Sequence, residues 1–157
     1  MEPTDMQIRG RGNTTWGCAK KPFAIKFDEK TKICGMPKHK RWVLIANYLD
    51  HSHLKNEMAF YLSRQLGLDY TVRGKFVNLV LNGNYVGLYW LGEQIKVNSN
   101  RVDIDEDNDY LIEMDTYFDE TWKFKSQIKK FPVQVKNDDT MNDAKLENLK
   151  EKINAIE

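Results

Sequence analysis

The stretch KFVNLVLNGNYVGLYWLGEQIKV, residues 75–97, constrains the fold more than any other. Two runs rich in β-branched and aromatic residues flank Asn82-Gly83, the dipeptide that tolerates the positive φ angles of a tight hairpin turn. A chain with this hairpin at its centre is committed to an antiparallel sheet. Gly87 and Gly92, inside the second run, predict a bulge or the close approach of another group.

The surrounding segments agree. MQIRGR (6–11) alternates as a short strand, and a polar turn through Gly12, Asn13, Thr14 and Thr15 follows. PFAIKF (22–27) alternates again, with Phe23, Ile25 and Phe27 on one face and Ala24 and Lys26 on the other. Gly35 and Pro37 break the chain before RWVLIAN (41–47), an apolar run of buried-strand length. The period then changes: from Asp50 as N-cap, Leu54, Met58, Tyr61 or Leu62, and Leu66 recur at helical spacing until Gly67. That stripe is expected to be core. YLIEMD (110–115) and FPVQVKN (131–137) predict further strands. Thr140 and Asp143 form a capping-box-like start for a last helix with Leu146, Leu149, Ile153 and Ile156 on one face. The expected fold is α+β: a mainly antiparallel sheet with one packed central helix and a C-terminal helix, in a single domain over residues 1–157.

Charge narrows the function. The 24 basic and 23 acidic residues nearly cancel, which argues against a generic nucleic-acid binder. Locally the balance is lost: residues 9–41 hold Arg9, Arg11, Lys20, Lys21, Lys26, Lys30, Lys32, Lys38, Lys40 and Arg41 against Asp28 and Glu29. Residues 103–120 are acidic, and DIDEDND (103–109) has neither the glycine nor the distal glutamate of a calcium loop, so it is expected to be a solvated loop. No apolar run nears the roughly 20 residues of a membrane span. Cys18 and Cys34 form no CxxC, and their pairing stays open; His39, His51 and His53 form no metal motif. The strand-like opening and the last helix, which runs on without a stop signal, are expected of a piece of a longer parent.

The candidate chemistry sits in RGRGNTTWGCAKKPFAIKF (9–27). Thr15 stands where GxGxxG needs its last glycine, and Cys18 follows Gly17 where a Walker loop needs lysine. What remains is physical: glycines that expose backbone N–H groups, Thr and Asn donors, and Lys20, Lys21 and Lys26 nearby suit phosphate oxygens. An ordinary β-turn with a basic surface is the competing reading. The order of loop, lysine-bearing strand, helix, hairpin and then GEQIKV is also that of a kinase small lobe.

Five segments in this order, IRGRGNTTW, KKPFAIKFD, GMPKHKRWVLIANYLD, LYWLGEQIKV and YLIEMD, resemble the CotH family of spore-coat-protein-H-like atypical kinases. The resemblance implies a divergent kinase small lobe, with ATP and Mg2+ used by the intact parent to phosphorylate protein substrates. It also implies a secreted, cell-surface or spore-coat parent. By position, Arg9, Arg11 and Asn13 would face the nucleotide, Lys21 or Lys26 would bind phosphate, and Glu93 would border the adenine. Glu113 would help organise the site, and Glu57 is an available partner for the lysine. The family's catalytic and metal-binding aspartates would follow the last helix, so this stretch by itself is expected to transfer phosphate poorly or not at all. The alternative is a non-catalytic coat or surface module that presents Trp16, Trp42, Trp90 and Trp122 to a protein or glycan.

Overall fold

A computed structural model describes residues 4–157, which divide into two compact units, the first ending at Ile95 and the second Lys96–Glu157. In the first, β1 (Met6–Gly10), β2 (Phe23–Ile33), β3 (Met36–Ile45), β4 (Gly74–Leu81) and β5 (Asn84–Glu93) make one antiparallel sheet in the order β1-β2-β3-β5-β4. Helix α1 (Lys55–Gln65) lies between β3 and β4 in the chain.

The central hairpin forms as expected. Asn82 and Gly83 have φ of 50° and 79°, the double positive pair of a type I′ turn. The register slips between Leu79 and Val80, and Gly87 takes φ of 121° at that bulge. The Trp90 indole lies against both Gly74 and Gly92, where a Cβ would overlap the ring. Strands β2 and β3 are longer than the alternation suggested: β2 runs on to Ile33 and β3 starts at Met36, so Pro37 sits inside a strand end rather than between elements. There, at the start of a strand, its missing N–H costs least.

Residues directly opposite across antiparallel strands share a face, so the register sorts the sheet into two surfaces. Phe23, Ile25 and Phe27 join Trp42, Leu44, Tyr89 and Leu91 in the core, and Trp42 is completely buried. The opposite face carries Arg9, Ala24, Lys26, Arg41, Val43, Ile45 and Trp90, by the pairs Arg9↔Ala24, Ala24↔Val43, Lys26↔Arg41 and Ile45↔Trp90.

Helix α1 packs on this second face, though not through the stripe expected to be core. Phe60 stacks on Trp90 with centroids 5.0 Å apart, and the Trp90 Nε1–H donates to Glu57 Oε2 at 2.9 Å. A buried indole N–H needs an acceptor, and Glu57 supplies it, which turns the Glu57–Phe60 side of the helix to the sheet. Met58 and Leu66 are left 60% and 74% exposed, with Leu54, Tyr61 and Leu62 about half exposed. Asp50 is not the N-cap residue either. It reaches ahead, its carboxylate accepting from Lys55 N at 2.9 Å and from Ser52 Oγ at 2.7 Å.

In the second unit β6 (Ile112–Met114), β8 (Pro132–Val135) and β7 (Lys123–Lys125) form a small antiparallel sheet in that spatial order, and α2 (Asp143–Ile156) packs on it. Leu149, Phe124, Val133 and Val135 make its core. Asn142, rather than Thr140, caps α2: its side chain accepts from Lys145 N at 3.0 Å, while the Thr140 hydroxyl donates to Glu106 O. Among the described residues no helix is long and apolar enough to cross a membrane.

Candidate functional site

The loop from β1 to β2 is closed by its own bonds. Arg11 N donates to Pro22 O at 3.2 Å, Trp16 N to Asn13 O at 3.1 Å and Cys18 N to Thr15 O at 3.2 Å, with a 3-10 turn over Thr14–Gly17. Gly12 has φ of +82° and the Thr15 hydroxyl where a Cβ would sit, so only glycine fits there. Trp16 covers Gly10 and meets Phe23 edge-on at 6.5 Å. Cys18 and Cys34 are free thiols.

The two lysines at the end of the loop have separate duties. Lys21 Nζ donates to Trp16 O at 2.6 Å and lies 5.4 Å from the Trp16 ring centroid, so it ties the loop to itself. Lys20 Nζ donates to Ala46 O at 2.8 Å and to Leu88 O, above the Tyr89 ring. Burial holds its ammonium below the ordinary lysine range.

Two grooves open near these elements. The first, about 300 Å³, is lined by Gln7, Arg9, Ala24, Lys26, Arg41 and Gln94 among others. Three of its walls are cationic, and among the described residues no carboxylate lines it. Lys26 lies directly opposite Arg41, and Arg9 opposite Ala24, so the three cations share one face. Like charges directly opposite across strands cost up to about 1 kcal/mol. Arg11 continues the row at a period of two; burial, and then the charge of Arg9, hold its guanidinium below the usual arginine range. Its surface is nonetheless open to solvent, as for a side chain in a concave wall.

The second groove, about 390 Å³, has Arg11, Gly12, Thr15 and Lys20 on one side and Asn47, Asp50, Lys55 and Asn56 on the other. Pro22, Ile45, Ala46, Tyr48 and Leu49 give it apolar walls. Asn47 is buried; its amide donates to His53 O at 3.2 Å and accepts from Asn56 at 2.9 Å.

Of the residues singled out from sequence, Arg9 and Lys26 therefore meet in the first groove and Arg11 lines the second. Asn13 lines neither, and Lys21 is engaged within the loop. Glu93 stands opposite Trp42, on the core face. Its carboxylate accepts from Arg73 N at 3.0 Å and from Arg73 Nε at 2.8 Å. Glu57 is bound to Arg64 as well as to Trp90, and Glu113 pairs with Lys136 at 3.2 Å in the second unit. Arg41 is not among the site residues the sequence singles out, and Lys20 is there only as one of three lysines near the loop. Both were visible as charges, but a register and a tertiary bond decide where they point.

Among the described residues no three His, Cys, Asp or Glu side chains are placed to hold a metal ion. The acidic run around Asp105 folds on itself, Asp105 accepting from Asp107 N at 3.0 Å and from Asn108 Nδ2 at 2.6 Å. Against protein-family models, residues 8–157 match "CotH kinase protein". No curated protein matches the chain.

Proposed function

We propose that this chain, which belongs to the CotH kinase protein family, binds ATP by its phosphates on the cationic face of the five-stranded sheet, as the nucleotide-holding part of a protein kinase. The observation that carries the reading is the cross-strand pair Lys26 and Arg41, with Arg9 beside it and, among the described residues, no carboxylate in the groove. Such a pair repels itself in the empty protein and is relieved by a polyanion. Arginine adds a planar fork that matches phosphate oxygens two at a time. Arg11 extends the same row toward the loop.

The neighbouring groove supports the same reading. Its walls at Pro22, Ile45 and Tyr48 are apolar, and the Asn47 and Asn56 amides add polar edges, the mixture that small-molecule sites use. Pro22 lies four residues before Lys26 on the β2 side, about 13 Å along an extended strand. A nucleotide laid along the face would put its charge over Arg9, Lys26 and Arg41 and its base over the apolar walls. Kinase chemistry would also use Mg2+ to neutralise charge on the phosphates. The described residues assemble no carboxylate set for it, so the contribution derived for this chain is to bind and orient the phosphates through cations.

Titration calorimetry with ATP tests the reading on the wild-type chain, Lys26→Ala and Arg41→Ala. Each substitution should weaken ATP about tenfold, the equivalent of one charge-assisted contact, and AMP should bind less tightly than ATP. Equal affinities for all three proteins would overturn it.

A further inference from the structure

We infer that two copies of this chain join edge to edge through β4, making one continuous sheet across a two-fold axis. The sheet has two edges, and they differ. Strand β1 is short and carries Arg9, a guarded edge. Strand β4 is eight residues long, GKFVNLVL, with Lys75 its one charge and no proline. The residue displaced at the Leu79/Val80 irregularity is Val86, on β5, so β4 itself keeps a regular edge. Among the described residues no strand pairs with its far side. Phe76 and Val80 are 38% and 59% exposed. An edge of this kind is a template for another strand.

The occupant follows from the order of the residues. Antiparallel pairing that keeps the two faces of the sheet continuous, and is centred on Asn78, sets Asn78 opposite Asn78 of the second copy. Phe76 then meets Val80, and Val77 meets Leu79, each from the other copy. The single charge, Lys75, falls opposite Leu81 of the other copy, about 20 Å from its own equivalent. Apart from Lys75 against Leu81, every cross-strand contact in this register is apolar or amide to amide, and no like charges are opposed. A strand paired with itself thus satisfies the edge with nothing supplied from outside.

Sedimentation velocity of the intact chain over a range of concentrations reads the association. Val80→Lys, at an exposed position, should weaken it at least tenfold, an edge lysine being the usual guard. In a Cys18→Ser, Cys34→Ser background, air oxidation of Asn78→Cys should give a covalent dimer, because the paired Cα atoms stand about 5 Å apart. Lys75→Cys in the same background should not. A monomer at every concentration would overturn the inference. So would a dimer indifferent to Val80→Lys, or Lys75→Cys linking as fast as Asn78→Cys.

Discussion

Replacing Glu93 by Gln separates two roles for the residue that ends β5. The Glu93 side chain is only 4% exposed, and its carboxylate holds Arg73 in three ways: Oε2 accepts from Arg73 N at 3.0 Å, Oε1 from Nε at 2.8 Å, and Oε1 lies 2.8 Å from Nη2. Glutamine keeps one acceptor oxygen, so its NH2 group must face either the guanidinium or the Arg73 N–H, and in both orientations donor faces donor. Breaking a fully buried ion pair costs about 3–5 kcal/mol. The Arg73 side chain is 43% exposed and can recover water, so the expected cost is lower, about 2 kcal/mol, within the span of a charge-assisted hydrogen bond. With a urea slope of about 1.5 kcal/mol per M, the midpoint should fall by about 1.3 M. Tryptophan fluorescence is the assay, since Trp42 and Trp90 are fully buried in the same unit. ATP affinity of the folded variant should stay within about twofold of wild type, a few tenths of a kcal/mol. A midpoint shift under about 0.3 M, below about 0.5 kcal/mol at that slope, would refute the clamp. A lost affinity with an unchanged midpoint would return Glu93 to the nucleotide.

Other consequences follow from the same geometry. An alanine methyl at Gly74 or Gly92 would overlap the Trp90 indole; either substitution should cost about 1–3 kcal/mol, and full stability in both would refute the Trp90 placement. Hydrogen bonds from the Ser52 side chain first, then from Lys55 N and Ser52 N, hold the Asp50 carboxyl below its usual range. Its stabilisation is therefore present above the unfolded carboxylate value of about 3.9 and fades as pH falls through the lowered folded one. The thermal-midpoint gap between wild type and Asp50→Ala should close in acid, and a gap constant with pH would count against the anchor. Lys21→Ala should leave ATP affinity unchanged while speeding amide exchange around Trp16, whose carbonyl Lys21 holds; a loss of affinity would make Lys21 a phosphate ligand after all.

The hairpin was legible because Asn82-Gly83 encodes its own backbone angles, and that alone placed an antiparallel sheet at the centre. The face of α1 was not legible. Helical spacing of Leu54, Met58, Leu62 and Leu66 marks a stripe, and burial is the ordinary fate of a stripe. Here a single tertiary demand, the Trp90 N–H that needs Glu57, turns the helix the other way. The α2 start shows the same limit on a smaller scale. Thr140 and Asn142 are both good caps, and Thr140 is withdrawn by its bond to Glu106 O, thirty-four residues away.

The site divides along the same line. Period two was enough to put Ala24 and Lys26 on one face of β2, and Gly12 with its neighbours marked a loop that only glycine can close. Whether Lys26 faces another cation depends on which residue of β3 lies across from it. The β2–β3 register shifts between Lys26 and Thr31 and again before Ile33, so counting back from the turn at Cys34-Gly35 would have chosen the wrong partner. With a regular hairpin, Ile33↔Met36 would put Lys30, not Thr31, opposite His39, set Glu29 opposite Lys40 and send Arg41 opposite Asp28. The irregularity instead sets Arg41 against Lys26 and leaves the Asp28 carbonyl to accept from Lys40 Nζ at 2.5 Å. A strand pair that could have neutralised its charge in place is thus shifted into one that concentrates it beside Arg9, and that concentration is what a phosphate can use.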